Sequence, residues 1–159
     1  LFYVPYALTN DHSVEFVLKD DQNNQVYITK FPGNETPPGI VNLQLPSTVS
    51  LEANKNYDWY FLIHCDAQNQ DRFVYVNGLI RRVERPDMET QLTSVPSQER
   101  ATQYASEGIW YEAVNSLAEQ LRVSPQNSRL KEDWVTLLQS VGLEHLASEP
   151  LVPCCTFER

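Results

Sequence analysis

The sequence predicts an α+β protein: an antiparallel β-sandwich over residues 1–84, a polar connector over 85–96 and a helical hairpin of three to four helices over 97–159. Three observations carry this. As far as residue 84, apolar residues recur at every second position, the period of half-buried strands. From residue 97 the spacing changes to that of amphipathic helices. Within the helical part Gly108 and Gly142 lie 34 residues apart, and at the same offset Tyr104 falls on Leu138, Ile109 on Leu143, Ala113 on Ala147 and Leu117 on Leu151. Units of helix, Gly turn and helix bury their apolar faces only against neighbours, so two are too few to stand alone. The β-patterned half is expected to cover them.

The elements follow in order. Leu1 to Leu8 is apolar and aromatic, with Pro5 inside it. Val14, Phe16 and Leu18 alternate with Glu15, Val17 and Lys19, which gives a half-buried strand. Asp20 to Asn24 supplies turn residues and Gln25 to Phe31 returns as a hairpin partner. Pro32 to Gly39 holds three Pro and two Gly and must be loop. Val41, Leu43 and Leu45 alternate again, and Tyr57, Trp59, Phe61 and Ile63 put four large groups on one face of the longest strand. Phe73 to Val83 closes the set, with Asn77–Gly78 read as a turn or bulge. Six or seven short strands argue for a sandwich. Leu51 precedes Tyr57 by six residues, the spacing of the tyrosine corner in immunoglobulin-like sandwiches, where the phenol bonds upstream backbone. A core Tyr with its hydroxyl at the rim is the other reading of that pair.

The connector 85–96 ends at Pro96. Ala101, Tyr104 and Ala105 make one short helical face before Gly108. Trp110, Val114, Leu117 and Leu121 make a second, widened by Ala113 and Ala118 and stopped at Ser124 to Asn127. Leu130, Trp134, Leu137, Leu138 and Val141 make a third, and Gly142 sits where a left-handed C-terminal cap is wanted. Pro150 and Pro153 leave room for only a short turn after Leu143, so the second repeat is cut off. Leu151 to Cys155 is apolar and expected to be extended and docked.

At 159 residues and a net charge of −9, the chain can bury one good core and repels a nucleic-acid backbone. Arg81, Arg82 and Arg85, the basic cluster, are too few to reverse that. No run of about 18 apolar residues exists to span a membrane as a helix. The start at Leu1, without Met and inside an apolar segment, fits either a removed leader or an excised fragment. Three cysteines, Cys65, Cys154 and Cys155, lack zinc spacing; they fit one disulfide and a spare thiol, or three thiols.

Candidate chemistry is sparse. His64 and Cys65 are strand neighbours pointing to opposite faces, so they form no direct catalytic pair, and Cys65 continues the inward stripe of Trp59, Phe61 and Ile63. Asp11-His12-Ser13 carries the letters of a hydrolase triad, but triads are assembled across a fold. Asp20-Asp21 with Asn23-Asn24 lacks the spaced carboxylates of a calcium loop and reads as a solvated turn. Asn34-Glu35-Thr36 is a glycosylation sequon that matters only in a secretory eukaryotic setting. No phosphate loop or HExxH motif occurs, so no catalytic, cofactor or metal residue is assigned. Tyr3, Tyr6, Tyr60, Tyr75 and Tyr111 are available to line a binding face.

Two resemblances add to this. Residues 104–127 resemble a tetratricopeptide unit through Tyr104, Ala105, Gly108, Ala113 and Pro125, though Ser97, Arg100 and Gln120 depart from its pattern. Phe2-Tyr3-Val4-Pro5-Tyr6, His12-Ser13-Val14-Glu15-Phe16, Pro37-Pro38-Gly39-Ile40-Val41, Val76-Asn77-Gly78, Gly108-Ile109-Trp110-Tyr111 and Pro153-Cys154-Cys155 resemble a cyanobacterial family of unknown function, number 928 in the domain-of-unknown-function series. That resemblance implies an exported protein with a leader and no established activity, and an extracytoplasmic setting favours a disulfide.

The expectation is therefore a non-enzymatic, extracytoplasmic module for protein interaction or self-association, without cofactor. Its sharper form is a subunit of a cell-surface filament or layer, with Leu1, Phe2, Tyr3, Val4 and Tyr6 as an arm that adds to a neighbour's sheet. The alternative for that arm is the first strand of its own sandwich. The rival class is a hydrolase or carbohydrate-active enzyme, which needs two carboxylates about 5–10 Å apart in a groove. Tyr57, Trp59, Gly108, Trp110, Trp134 and Gly142 are expected to be structural. A bridge from Cys65 to Cys154 or Cys155, Cys154 being favoured, would close a loop of about 90 residues and contribute roughly 4–5 kcal/mol.

Overall fold

The computed structural model describes residues 1–154, without the side chains of Glu89, Gln91, Thr93, Ser94, Ser97 and Gln98. It is α+β, as the periodicities require. The elements are β1 (Phe2–Val4), β2 (Ser13–Asp20), β3 (Gln25–Pro32), β4 (Gly39–Val41), β5 (Asn56–His64), β6 (Phe73–Arg81), α1 (Pro86–Ser94), α2 (Ser97–Ser106), α3 (Trp110–Val123), α4 (Ser128–Gln139), a 3₁₀ turn (Glu144–Leu146) and β7 (Leu151–Val152). The strands fall into a four-stranded sheet, order β3-β2-β5-β6, and a three-stranded sheet, order β1-β4-β7.

Two compact units result, and neither is a continuous stretch. The helical unit takes Leu1–Tyr3, Gly39–Asn42 and Arg85–Leu151; the sheet unit takes Val4–Pro38, Leu43–Glu84 and the chain from Val152. The chain passes from the sheet unit to the helical unit at Glu84/Arg85, and short N-terminal pieces belong with the helices.

In the sheet unit β2, β3, β5 and β6 are antiparallel throughout. The alternating residues Val14, Phe16 and Leu18 are buried; Ile63 and Phe61 are buried opposite the first two, and Tyr57, opposite Asp20, is buried as well. Asp20 closes the β2–β3 hairpin: its Oδ1 accepts from the backbone of Gln22 and Asn24 at 3.0 and 2.8 Å, and Asn23 takes φ 65°. Tyr57 is 3% exposed, and its hydroxyl accepts from the backbone N–H of Glu52 at 2.9 Å. The phenol thus pins the segment that leads into β5.

Three expectations are corrected. Asn77–Gly78 is no turn: β6 runs unbroken through it, because Gly78 lies opposite Trp59 and leaves room for the indole. A Cβ on Gly78 would stand 2.5 Å from Trp59 Cζ2. The inward stripe ends at Ile63, since β5 stops at His64 and Cys65 is exposed in the bend beyond. Residues 85–96 are not a connector but contain α1. Pro86 begins that helix where its missing N–H costs nothing, and Leu92 buries its side chain. In addition β4 stops at Val41, so Leu43 and Leu45 extend no strand.

The helical core joins Ala101, Ala113, Val114, Leu117, Ala118, Leu121, Leu130, Trp134, Leu137 and Leu138 with Ile40, and Leu1, Tyr104, Trp110, Leu146, Ala147 and Leu151 pack against it. Asn42 Nδ2 donates to Asn115 Oδ1 at 3.1 Å. The 34-residue self-match has a geometric counterpart at both glycines. Ile109 N–H donates to Tyr104 C=O at 2.9 Å and Gly108 N–H to Ala105 C=O at 3.1 Å. Leu143 N–H donates to Leu138 C=O at 2.9 Å and Gly142 N–H to Gln139 C=O at 3.1 Å. Both pairs make the Schellman closure, with φ 72° at Gly108 and 75° at Gly142. Beyond residue 143 the match lapses: α3 follows the first turn, and only the 3₁₀ turn follows the second.

Candidate interaction surfaces

Two open concavities of the helical unit bear on binding. The first, of about 450 Å³, runs between α2 and α4, with Trp110 and Leu117 of α3 behind it. Ala101, Ala105, Leu137 and Val141 make its walls, and the small alanines leave the room. Thr136 Oγ1 donates to Glu132 C=O and Ser140 Oγ to Leu137 C=O, so their hydroxyl protons are spent on their own helix. Thr102 and Asp133 are the remaining polar groups of the groove.

The second is a cleft of about 870 Å³ formed by α3, α4 and the segment 144–151. Leu121, Trp134 and Leu151 give it an apolar lining, and Arg122, Lys131, Glu144 and Glu149 give it charge. Burial and then the Glu149 carboxylate, which accepts a hydrogen bond from the phenol, hold Tyr3 above the usual tyrosine range.

In the sheet unit the polar clusters serve structure. Lys55 Nζ lies 3.5 Å from Glu52, 3.7 Å from Asp21 and 3.8 Å from Asp20. Burial works against the Lys55 charge, but Glu52, Asp21 and Asp20 outweigh it and raise its pKa. Asp20 is pulled below the usual aspartate range, first by its bonds from Asn24, with Gln22 and Lys55 adding to them against a desolvation penalty. The acidic turn is thus partly offset by a lysine and tied to its own backbone. His64 is buried: Nδ1 donates to the Gln70 carbonyl at 3.0 Å, and Nε2 stands 2.9 Å from Glu15 Oε2. His12 Nδ1 accepts from the Thr9 backbone N–H at 3.0 Å and lies 2.9 Å from Thr9 Oγ1, so Asp11-His12-Ser13 is the entry from a turn into β2 rather than a triad. Among the described residues no group of three or more His, Cys, Asp or Glu is placed to hold a metal ion.

The arm residues are partly spent on the fold. Phe2–Val4 forms the β1 edge of the three-stranded sheet, and Val4 is buried, while Tyr3 and Tyr6 stay open. Cys65 carries a free, exposed thiol, so the expected bridge from it to the tail is not made. Its N–H donates to the Arg72 carbonyl at 2.8 Å and closes the β5–β6 connection instead. Cys155, the other tail candidate, lies outside the described residues.

One surface escaped the sequence reading. Phe73, Val74, Tyr75, Val76 and Leu79 of β6 are each between 45% and 61% exposed. Because strand patterning assigns one face of β6 to the core, its sequence gives no sign that both faces are open.

No helix among the described residues is long and apolar enough to cross a membrane. No curated protein and no solved structure matches the chain. A sequence model of the family described as Domain of Unknown Function (DUF928) matches residues 1–151, and the chain belongs to that family.

Proposed function

We propose that this protein is a non-enzymatic, extracytoplasmic interaction module and a subunit of a cell-surface assembly in a cyanobacterium. The observation that carries the reading is the open groove between α2 and α4, apolar in its walls and wide enough for side chains of an extended or helical segment. The matched turns at Gly108 and Gly142 support reading this unit as a degenerate tetratricopeptide hairpin, and the buried Tyr57 hydroxyl supports an immunoglobulin-like sheet unit. The partner is a protein.

Ala105 is exposed and lines the groove, so Ala105→Trp fills it without entering the core. Fractionated source cells are expected to hold the wild type outside the cytoplasmic membrane in a complex far larger than 18.3 kDa, and the variant in a smaller one. A native mass of one chain for the wild type overturns the reading. So does a reproducible small-molecule turnover that one substitution abolishes.

A rival reading, a carbohydrate-active hydrolase, draws on one observation: Glu144 and Glu149 both line the cleft of about 870 Å³. It requires turnover of a glycoside that is lost in both Glu144→Gln and Glu149→Gln.

A further inference from the structure

The polar side chains of the α2–α4 groove are mostly acceptors. Thr136 Oγ1 and Ser140 Oγ each give their proton to a carbonyl of α4, so what they keep for an occupant is lone pairs. Asp133 adds a carboxylate on the same face of α4, one turn before Thr136 and Leu137. Thr102, across on α2, has a hydroxyl that can turn either way.

The fold makes no use of the Asp133 carboxylate. It belongs to the sixth residue of α4, past the first turn in which an acid caps the helix or meets its dipole. Asn127 already fills the cap, where its Oδ1 accepts from Leu130 N–H at 3.2 Å. Arg129 lies one turn earlier, in the less favourable order for a helical ion pair. Among the described residues neither Arg129 nor any other group is bonded to Asp133. The residue is half-buried in the groove wall, and its charge is left for whatever enters.

We propose that the groove selects a segment of a partner protein in which one Lys or Arg stands among apolar side chains. The apolar groups pack on Ala101, Ala105, Leu137 and Val141, and the cation meets Asp133. This rests on reading the groove as the docking site. Lys and Arg donate without accepting, which suits a wall of acceptors, and they alone among the donors also answer the charge. Asn, Gln or a hydroxyl would leave the carboxylate uncompensated as the groove dries. An acidic segment is turned away by Asp133 itself and by the net charge of −9.

The test is selection from a random peptide library, displayed on phage, against the purified full chain. It is run in about 0.15 M salt, where exposed charges more than about 8 Å apart are screened. Peptides that bind the wild type but not Ala105→Trp are groove binders. They are expected to carry Lys or Arg beside apolar residues and to lose about tenfold in affinity for Asp133→Asn. That substitution removes one unit from a net charge of −9, so general attraction to a basic peptide hardly changes and the loss reports contact. Asp133→Lys is expected to select Asp or Glu at the matching peptide position, a reversal that loss of folding would not give. Groove binders that lack a basic residue, or that bind Asp133→Asn as tightly as the wild type, overturn the proposal and leave the groove a docking site. A selection in which no peptide is sensitive to Ala105→Trp overturns the docking site, and the proposal with it.

Discussion

Single residues in the sheet unit act by closing space or by answering charge, and two of them give sharp expectations. Gly78 stands under the Trp59 indole, and the added Cβ of Gly78→Ala would sit 2.5 Å from Cζ2. The ring must move, so the variant is expected to lose about 1–3 kcal/mol in urea unfolding, with a changed Trp fluorescence in the native baseline. An unchanged midpoint would mean that the indole relaxes freely. Asp20 is depressed by its hairpin bonds, so its contribution is complete well above the ordinary aspartate value of 3.8 and fades as pH falls through that value to the folded one below it. The stability gap between wild type and Asp20→Ala, measured by urea unfolding across a pH series, is expected to be positive at neutral pH and to narrow in that window. A gap that widens with acid would contradict the sign. The buried Tyr57 was legible because its position relative to Leu51 is a local pattern. Gly78 was not: Asn-Gly reads as a turn from sequence alone, and only the ladder partner across the sheet shows which constraint won. Cys65 misled for a related reason, since alternation fixes a face but not the residue at which the strand stops.

At the scale of elements, the two helix ends are equivalent parts. Gly108 and Gly142 both take positive φ, and an added Cβ at either meets nothing within 4 Å. Gly108→Ala and Gly142→Ala are thus expected to cost backbone strain alone, about 1 kcal/mol each, measurable as similar shifts in urea midpoint. A loss several times larger at one site would mean that its turn carries packing the other lacks. The helical periodicity made α3 and α4 legible, including the buried stripe Leu117, Leu121, Trp134 and Leu138. The short α1 escaped because nine residues, with Leu92 the buried side chain among those described, give too little amphipathic signal to rise above their polar neighbours. The β6 edge shows the converse limit: sequence marks a strand and its alternation but not which strand ends the sheet.

At the scale of the whole molecule, the chain passes between the units at Tyr3/Val4, Pro38/Gly39, Asn42/Leu43, Glu84/Arg85 and Leu151/Val152. The change of period near residue 84 carries no sign of the contributions of Leu1 and Ile40 to the helical core. Long-range assembly leaves no local mark, and both residues sit in segments patterned as strand. The consequence separates a continuous helical domain from the interleaved one. Residues 85–159 expressed alone lack Ile40, which is 4% exposed among Leu, Val and Trp side chains, and lack Leu1 beside it. Removing one large apolar group from a packed core costs about 2–5 kcal/mol, a large share of the stability of a unit this size. The isolated fragment is therefore expected to show reduced helicity and a broad thermal transition. Adding residues 1–84 in trans is expected to restore helicity. Ile40→Ala in the full chain should lower the stability of the helical unit in the same direction, read as accelerated amide exchange in α3 and α4. A fragment 85–159 that melts as cooperatively as the full chain would show that the helices close their core without the N-terminal pieces.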